Sequence, residues 1–218
     1  MTQSQPQTAP LSRAEGKQRS RQKLITATIN SIAKRGFADT TLARVAEGAG
    51  LSRGIVNFHF RSKDALFLET LKFMSREYGE QWWRAFDEAG PTAAEKLEAV
   101  LMIDFKPPIS NRNRLACWFA FYGEAKFRPT YMAACTETDQ VNYNAVADLC
   151  KTLIEEGGYE NLDPELITQG LSAMSEGLWL DLLISPHTND PEKSQQTLLT
   201  YLRGLFPKHF PIGKRADA

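Results

Sequence analysis

The chain has 218 residues, of which 42% are hydrophobic, and it carries equal numbers of Lys/Arg and Asp/Glu, 26 of each. This length supports one or two domains with a substantial core. No apolar run approaches the roughly 20 residues that a membrane helix needs, and the polar N-terminus lacks the apolar segment of a signal peptide. We therefore expect a cytoplasmic globular protein without membrane contact.

The neutral total conceals an uneven distribution of charge along the chain. Residues 1–65 contain 11 Lys/Arg and 4 Asp/Glu, whereas residues 66–218 contain 15 and 22. A basic N-terminal part followed by an acidic body indicates that the first part, and not the second, meets a polyanion such as nucleic acid.

Helical periodicity runs through almost the whole chain, and glycine, proline and capping residues divide it. The first helix is predicted over residues 21–35, the second ends near Ala49, and the third starts at Ser52. A long fourth helix is predicted from Ser62 to Gly90. No stretch alternates as a strand would, and further helices are predicted at roughly 92–105, 111–126, 129–157, 163–185 and 190–205.

The segment TTLARVAEGAGLSRGIVNFHF has the pattern of a helix-turn-helix. Val45 and Ala46 lie on the buried face of its first helix, and Gly50 permits the left-handed backbone of a sharp turn. Val56 and Phe60, four residues apart, bury one face of the second helix. The second helix of such a motif enters the major groove of DNA.

The remaining side chains of this segment suit contact with DNA. Arg53 and Asn57 share another face of the second helix and can pair with guanine and adenine. Gly54 lets the backbone approach a phosphate, and threonines at a helix N-terminus can bind phosphate. The predicted DNA-binding residues are Thr40, Thr41, Arg44, Ser52, Arg53, Gly54, Asn57, His59, Arg61 and Lys63.

The predicted architecture is all-α: an N-terminal three-helix DNA-binding domain with a helix-turn-helix, joined by a long helix to a larger helical body. The predicted divisions are a disordered tail over 1–18, the DNA-binding domain over 19–66, an effector-binding and dimerisation domain over 67–210, and a tail over 211–218.

Two C-terminal helices with apolar faces form the predicted dimer surface. One recognition helix reads only a few base pairs, so such proteins usually pair and read two half-sites of a palindromic operator in double-stranded DNA. Packing within the chain is the alternative for some of these side chains. The predicted interface residues are Ile167, Leu171, Met174, Leu178, Leu198 and Leu202.

An aromatic cluster in the middle of the body predicts a cavity for a small molecule. Its tyrosine and tryptophan side chains have polar ends to satisfy, and acidic residues lie close in sequence. Core packing is the alternative for any one of these aromatic residues. The predicted effector-binding residues are Trp118, Phe121, Tyr122, Glu124, Tyr131 and Trp179.

Residues 20–66 resemble the N-terminal domain of the TetR family of transcriptional repressors. The matching residues are Gly36-Phe37, Thr40-Thr41, Val45-Ala46, Ala49-Gly50-Leu51-Ser52, Gly54, Phe60, Lys63 and Leu66. Family members usually have an aromatic residue in place of Asn57, so whether Asn57 contacts a base or a phosphate stays open.

The segments DFKPP, ACWFAFYGEA, RPTY and EGLWLDLL, together with the groove helix RGIVNFHF, are similar to BetI-type repressors within that family. This resemblance implies control of choline and glycine-betaine metabolism, with choline as the inducer. Aromatic faces and carboxylates hold a quaternary ammonium, at about 0.5–2 kcal/mol per cation–π contact. Choline would weaken DNA binding because it binds one of two states of the dimer more tightly than the other. The long helix after Ser62 would transmit this change from the body to the DNA-binding domain.

Three other interpretations remain open from the sequence. The first is a regulator of the same family with another ligand, such as a hydrophobic cation, an acyl group or a nucleobase. The second is an all-α enzyme, but no catalytic triad, phosphate loop or zinc-like Cys/His spacing is present, so no metal or cofactor is predicted. The third is a DNA-packaging protein, against which the acidic body argues.

Overall fold

The computed structural model of the protein describes residues 12–211, and within that range it contains helices and no strand. The all-α prediction is therefore confirmed. A short 3-10 helix, Ile103–Phe105, follows the fifth α-helix. The α-helices are α1 Arg13–Asp39, α2 Leu42–Ala49, α3 Arg53–His59, α4 Lys63–Glu88, α5 Ala93–Met102, α6 Arg112–Glu124, α7 Pro129–Ala133, α8 Thr136–Gly157, α9 Pro164–Ile184 and α10 Pro191–Leu205.

The first helix begins earlier than its sequence pattern predicts. The Ser12 hydroxyl accepts a hydrogen bond from the Glu15 backbone N–H at 3.2 Å, and the Glu15 carboxylate accepts one from the Ser12 N–H at 2.7 Å. This capping box starts α1, so residues 13–18 are helical rather than a tail. Of the predicted tails, residues 1–11 and 212–218 lie outside the described residues.

The stretch 129–157, predicted as one helix, consists of α7 and α8. Ala134 and Cys135 separate them, and this break brings α7 against both the body and the start of α4. The predicted boundary between the two domains, at residue 66, falls inside α4, which continues from the head into the body without interruption.

The three N-terminal helices pack around a small apolar core. Gly36 interrupts α1 with a φ of 79°, and Gly50 closes α2 with a φ of 63°, both in the left-handed region that favours glycine. The Gly50 and Leu51 N–H groups donate to carbonyls at the end of α2. This turn sets α3 across α2, as a helix-turn-helix requires.

The head is attached to the body along α1 as well as through α4. Helix α1 packs extensively against α6, and the Asn113 amide donates to the Asn30 side-chain oxygen at 3.0 Å. The ring of Phe37 lies 4.6 Å from that of Phe67 and 5.5 Å from that of Phe121, measured between centroids. In the body, α4, α5, α6, α8 and α9 surround a cavity. Within residues 12–211, no helix is long and apolar enough to cross a membrane.

Candidate DNA-binding surface and effector cavity

One face of helix α3 packs against the rest of the head, and the opposite face is exposed to solvent. Val56 and Phe60 are buried in the head, and the Ser52 hydroxyl caps the helix by accepting from the Ile55 N–H. Arg53 and Asn57 are exposed on the free face. The other predicted DNA-binding residues that remain exposed are Thr41, Arg44, Ser52, Gly54 and Arg61.

Thr40 and Lys63 are used inside the chain, which corrects their predicted role as phosphate contacts. Thr40 is fully buried, and its hydroxyl donates to the Gly36 carbonyl at 2.9 Å. The Lys63 ammonium donates to the carbonyls of Phe37 and Ala38 at 2.9 and 3.0 Å. Both side chains satisfy backbone carbonyls at the interrupted end of α1, where the helix leaves them without partners.

His59 is also engaged within the chain rather than turned toward a ligand. Its Nε2 atom lies 2.7 Å from the Ser20 hydroxyl of α1. Burial, with the nearby charges of Arg21 and Lys17, lowers the pKa of His59. A neutral imidazole is a weak phosphate ligand, so His59 is better described as a link between α1 and α3.

Phe58 also belongs to the predicted DNA-binding surface, although it was not among the residues predicted for it. Its side chain is 69% exposed, next to Asn57 on α3, and the Lys17 ammonium lies 5.4 Å from its ring centroid. From sequence alone, an aromatic residue between two buried positions is expected to belong to the hydrophobic core. Residues four apart share a face of a helix, as Val56 and Phe60 do, whereas Phe58 lies two residues from each. This spacing could have predicted that Phe58 faces outward.

The cavity in the body has a volume of about 280 Å³. Three of the predicted effector residues line it, namely Trp118, Tyr122 and Trp179. The other aromatic residues in its wall were not predicted, although Tyr78 and Trp82 belong to the apolar stripe of the long fourth helix. The full aromatic set is Tyr78, Trp82, Trp118, Tyr122, Tyr143 and Trp179.

Phe121, Tyr131 and Glu124 lie outside the cavity wall, which corrects their predicted role. Phe121 and Tyr131 are buried at the junction of head and body, with ring centroids 5.4 Å apart. Glu124 accepts a hydrogen bond from Arg128, which also bonds to Asp64 at 2.8 Å. Because successive residues of α6 point in different directions, Trp118 and Tyr122 face the cavity while Phe121 faces the head.

Three carboxyl groups, Asp104, Asp139 and Glu176, also line the cavity, and none of the described residues in its wall is a lysine, arginine or histidine. Burial raises the pKa of Asp104 to about 7. Burial and the charge of Glu176 raise the pKa of Asp139 to about 6, and burial raises the pKa of Glu176. Asp104 is 5% exposed, whereas Asp139 and Glu176 keep much of their surface open to solvent. Removal from water therefore disfavours the charge of Asp104 most strongly, and a bound cation would stabilise its ionised form.

Asp104 is fixed from two sides. The Tyr78 hydroxyl donates to its carboxylate at 3.0 Å, and the Trp179 indole N–H donates to its backbone carbonyl at 2.9 Å. The rings of Tyr78 and Trp179 meet edge to face, with centroids 6.0 Å apart. An acidic group held among aromatic faces is the arrangement that binds organic cations.

Several predicted dimer contacts are buried within the single chain. Leu198 and Leu202 are 0% exposed, and Leu171 lines the cavity; these three side chains fill the chain's own interior. Ile167, Met174 and Leu178 are half-buried. The exposed stripe of α9 lies one position away and consists of Leu166, Gly170, Ala173, Gly177, Leu180 and Ile184.

Together, an exposed helix-turn-helix and a ligand-sized cavity define a class of protein, the one-component regulators that bind DNA and a small molecule. Residues 24–70 match the N-terminal region of bacterial regulatory proteins of the TetR family. Residues 93–207 match the C-terminal region of BetI-type transcriptional repressors. The chain belongs to the TetR family of transcriptional regulators and is of the BetI type.

Individual relatives agree with this assignment. The transcriptional regulator BetI of Paraburkholderia xenovorans LB400 is 30% identical over 84% of this chain and 91% of its own. That of Burkholderia mallei NCTC 10229 is 31% identical over 73% and 80%. These relatives are transcriptional regulators, and the chain is accordingly a regulator and not an enzyme.

Solved structures share the fold. A transcriptional regulator from Pseudomonas aeruginosa PAO1 is 27% identical and superposes with a TM-score of 0.77, covering 91% of this chain and 95% of its own. A regulator from Saccharomonospora viridis, solved in complex with choline, is 19% identical with a TM-score of 0.76, covering 85% and 96%.

Proposed function

We propose that the protein acts as a homodimer whose two α3 helices enter successive major grooves of a palindromic operator. The observation that supports this is the free face of α3, where Arg53 and Asn57 are exposed while the opposite face is buried. Thr41, Arg44, Ser52 and Arg61 surround that face and would contact phosphates. Such binding would place the protein in the cytoplasm, with the DNA.

The proposed dimer surface is the exposed stripe of α9. Its residues recur at alternating spacings of four and three, which keeps them on one side of the helix. Gly170, Ala173 and Gly177 have no large side chain, so a second helix can approach closely along the middle of the stripe. Leu166, Leu180 and Ile184 would bury their apolar area at its ends.

The proposed effector is choline or a related quaternary amine, which would relieve repression. Quaternary ammonium groups cannot donate hydrogen bonds, and aromatic faces with nearby carboxylates bind them. The cavity provides six aromatic residues and three carboxyl groups, and the Saccharomonospora viridis relative was solved with choline.

An acyl ligand is the second candidate, because the regulator FadR of Bacillus subtilis, solved with stearoyl-CoA, shares the fold with a TM-score of 0.67 and 19% identity. The cavity of the present chain opposes such a ligand. The residues that the structure describes in its wall include no basic side chain to pair with a carboxylate or phosphate, and three acidic groups would repel one.

The operator hypothesis can be tested by fluorescence anisotropy with the DNA upstream of the protein's own gene. We expect tight, salt-sensitive binding that choline weakens. Arg53→Ala should reduce operator affinity by about 1–3 kcal/mol if this arginine pairs with a base. Arg84→Ala is the matched control, since Arg84 is an exposed arginine of α4 away from the head.

Two outcomes would contradict parts of this proposal. Equal losses of operator affinity in Arg53→Ala and Arg84→Ala would show that α3 does not read the DNA. Tight operator binding that no quaternary amine changes would retain the DNA-binding function and eliminate the proposed class of effector.

A further inference from the structure

Two polar side chains in the cavity wall, Asn142 and Ser175, have buried atoms without a hydrogen-bond partner among the described residues, and in Asn142 the whole amide is affected. Asn142 lies on α8, one turn after Asp139, and lines the cavity. It is 6% exposed, and both its Nδ2 and its Oδ1 atoms are buried without a partner in the chain. Buried amide groups without partners destabilise a protein, and folded proteins contain few of them.

The position of Asn142 sets it apart from a side chain that packing alone requires. Val146, one turn further along the same face of α8, is an apolar residue that also lines the cavity. An apolar side chain of similar shape at position 142 would avoid the cost of desolvating the amide. The amide therefore points to a polar group on the ligand.

The chemistry of the amide limits which ligand group it can satisfy. Its nitrogen donates and its oxygen accepts, so a full match needs a group that both accepts and donates. A hydroxyl group does both. A carboxylate only accepts, and it would lie in a wall that already contains Asp104, Asp139 and Glu176. An ammonium group only donates, which would leave the amide nitrogen unpaired.

We propose that Asn142 determines which quaternary amines act as effectors, by binding a neutral hydroxyl group that the ligand carries in addition to its cationic nitrogen. The proposal rests on the proposed function, since it assigns a second contact in the same cavity. The aromatic and acidic walls bind the cation, and Asn142 selects hydroxylated cations over purely alkyl cations and over zwitterions that carry a carboxylate.

The test compares choline with propyltrimethylammonium, in which a methyl group replaces the hydroxyl. Calorimetric titration of the full-length protein should show that choline binds about tenfold more tightly, the effect of about 1.4 kcal/mol of hydrogen bonding. In Asn142→Leu, the affinity for choline should fall by about tenfold, and that for propyltrimethylammonium should stay within about twofold. Glycine betaine should bind more weakly than either.

The control is Asn144→Leu, the same substitution at an exposed position of α8 outside the cavity wall. It should retain the preference for choline. The unliganded Asn142→Leu protein should be at least as stable to urea as the wild type, because the unsatisfied amide is gone. If this variant does not fold, Asn142→Ala takes its place and should show the same loss of the preference for choline.

The outcomes separate this proposal from the proposed function. Equal binding of the two cations by the wild type, with operator release by both, would overturn the role of the hydroxyl and leave quaternary amines as effectors. A preference for choline that survives in Asn142→Leu would overturn the role of Asn142. No binding of either cation would overturn both this proposal and the proposed effector, while operator binding would still stand.

Discussion

At the scale of single residues, the cavity wall contains three carboxyl groups that differ in their exposure to solvent. Asp104 is the most enclosed of them, and its pKa is raised to about 7, mainly by burial. The Tyr78 hydroxyl holds one of its oxygens, so the group keeps its position whether or not it carries a proton. A cation in the cavity would favour the ionised form, and binding would release protons near neutral pH.

The first prediction concerns the pH dependence of effector binding. The pKa values of Asp104 and Asp139 are raised to about 7 and about 6, so both are mainly protonated at pH 5.5 and ionised at pH 8. Choline affinity should rise across this range, by about tenfold or more. Titration calorimetry in buffers of different ionisation enthalpy would report the affinity and the protons released.

Asp104→Asn is the matched variant for this experiment, because its side-chain oxygen can still accept from Tyr78. It should weaken choline binding at pH 8 and flatten the rise in affinity between pH 6 and 8. An unchanged profile would show that Asp104 does not titrate with binding.

The same groups affect the stability of the unliganded protein in the opposite sense. Because the folded-state pKa of Asp104 lies above the unfolded value near 3.8, the folded state binds more protons than the unfolded state between these pH values. The free energy of unfolding from this group is therefore largest below pH 4 and decreases as the pH rises to about 7. Asp104→Asn should remove this part of the slope in urea unfolding.

At the scale of elements, the turn between α2 and α3 depends on the backbone of a single glycine. Gly50 has a φ of 63°, where a Cβ atom is disfavoured, whereas Gly48 lies inside α2. A Cβ atom at Gly48 would meet only the Cβ of Ala27, at an ordinary 3.7 Å.

The second prediction therefore compares the same substitution at two positions, Gly50 and Gly48. Gly50→Ala should lower the free energy of unfolding by about 1 kcal/mol, and Gly48→Ala should raise it by up to about 1 kcal/mol. Urea unfolding monitored by circular dichroism measures both. Equal effects of the two changes would contradict the assigned turn geometry.

Helix α7 is the element that touches both the cavity and the head. Met132 lines the cavity, while its neighbour Tyr131 packs against Phe37 of α1, with ring centroids 6.0 Å apart. Arg128, just before α7, bonds to Asp64 in the first turn of α4. A ligand that displaces Met132 would therefore act on the helix that positions the head.

The third prediction is that Arg128→Gln uncouples the cavity from operator binding. Choline affinity should stay within about twofold, while the factor by which choline weakens operator binding should fall by about threefold or more. Anisotropy titrations with and without choline measure that factor. Lys126→Gln is the control. An equal loss of coupling in both variants would show that the Arg128 contact and α7 do not couple the cavity to operator binding.

At the scale of the whole molecule, operator recognition depends on the distance between two heads. That distance is set by the surface through which two copies pair, and the exposed α9 stripe is the surface proposed here. Leu180, at 39% exposure, is one of its large apolar residues.

The fourth prediction is that Leu180→Glu dissociates the dimer and lowers operator affinity by about tenfold or more, because an isolated head reads a single half-site. Sedimentation velocity measures the oligomeric state and anisotropy the affinity. Val141→Glu places the same charge at a comparably exposed apolar position of α8 and should leave both unchanged. If the Leu180→Glu protein sediments as the wild type does, the dimer surface lies elsewhere on the molecule.

The sequence alone determined the helical class and the helix-turn-helix, because both depend on local patterns. Helical period, the cap at Ser52 and the glycine at position 50 act within a few residues of one another. The aromatic content of the cavity wall was also visible in part, since Trp118, Tyr122 and Trp179 line it, whereas the predicted acidic residue, Glu124, does not.

Only the tertiary structure decided which face each side chain occupies. Phe121 and Trp118 lie three residues apart on α6, yet one faces the head and the other faces the cavity. Leu198 fills the core, whereas Leu180, equally apolar, is exposed. Periodicity identifies an apolar face but not its partner, because the partner is set by how distant helices pack. For the same reason, the sequence did not reveal that Asp104, in the 3-10 helix after α5, and Asn142, on α8, line one cavity.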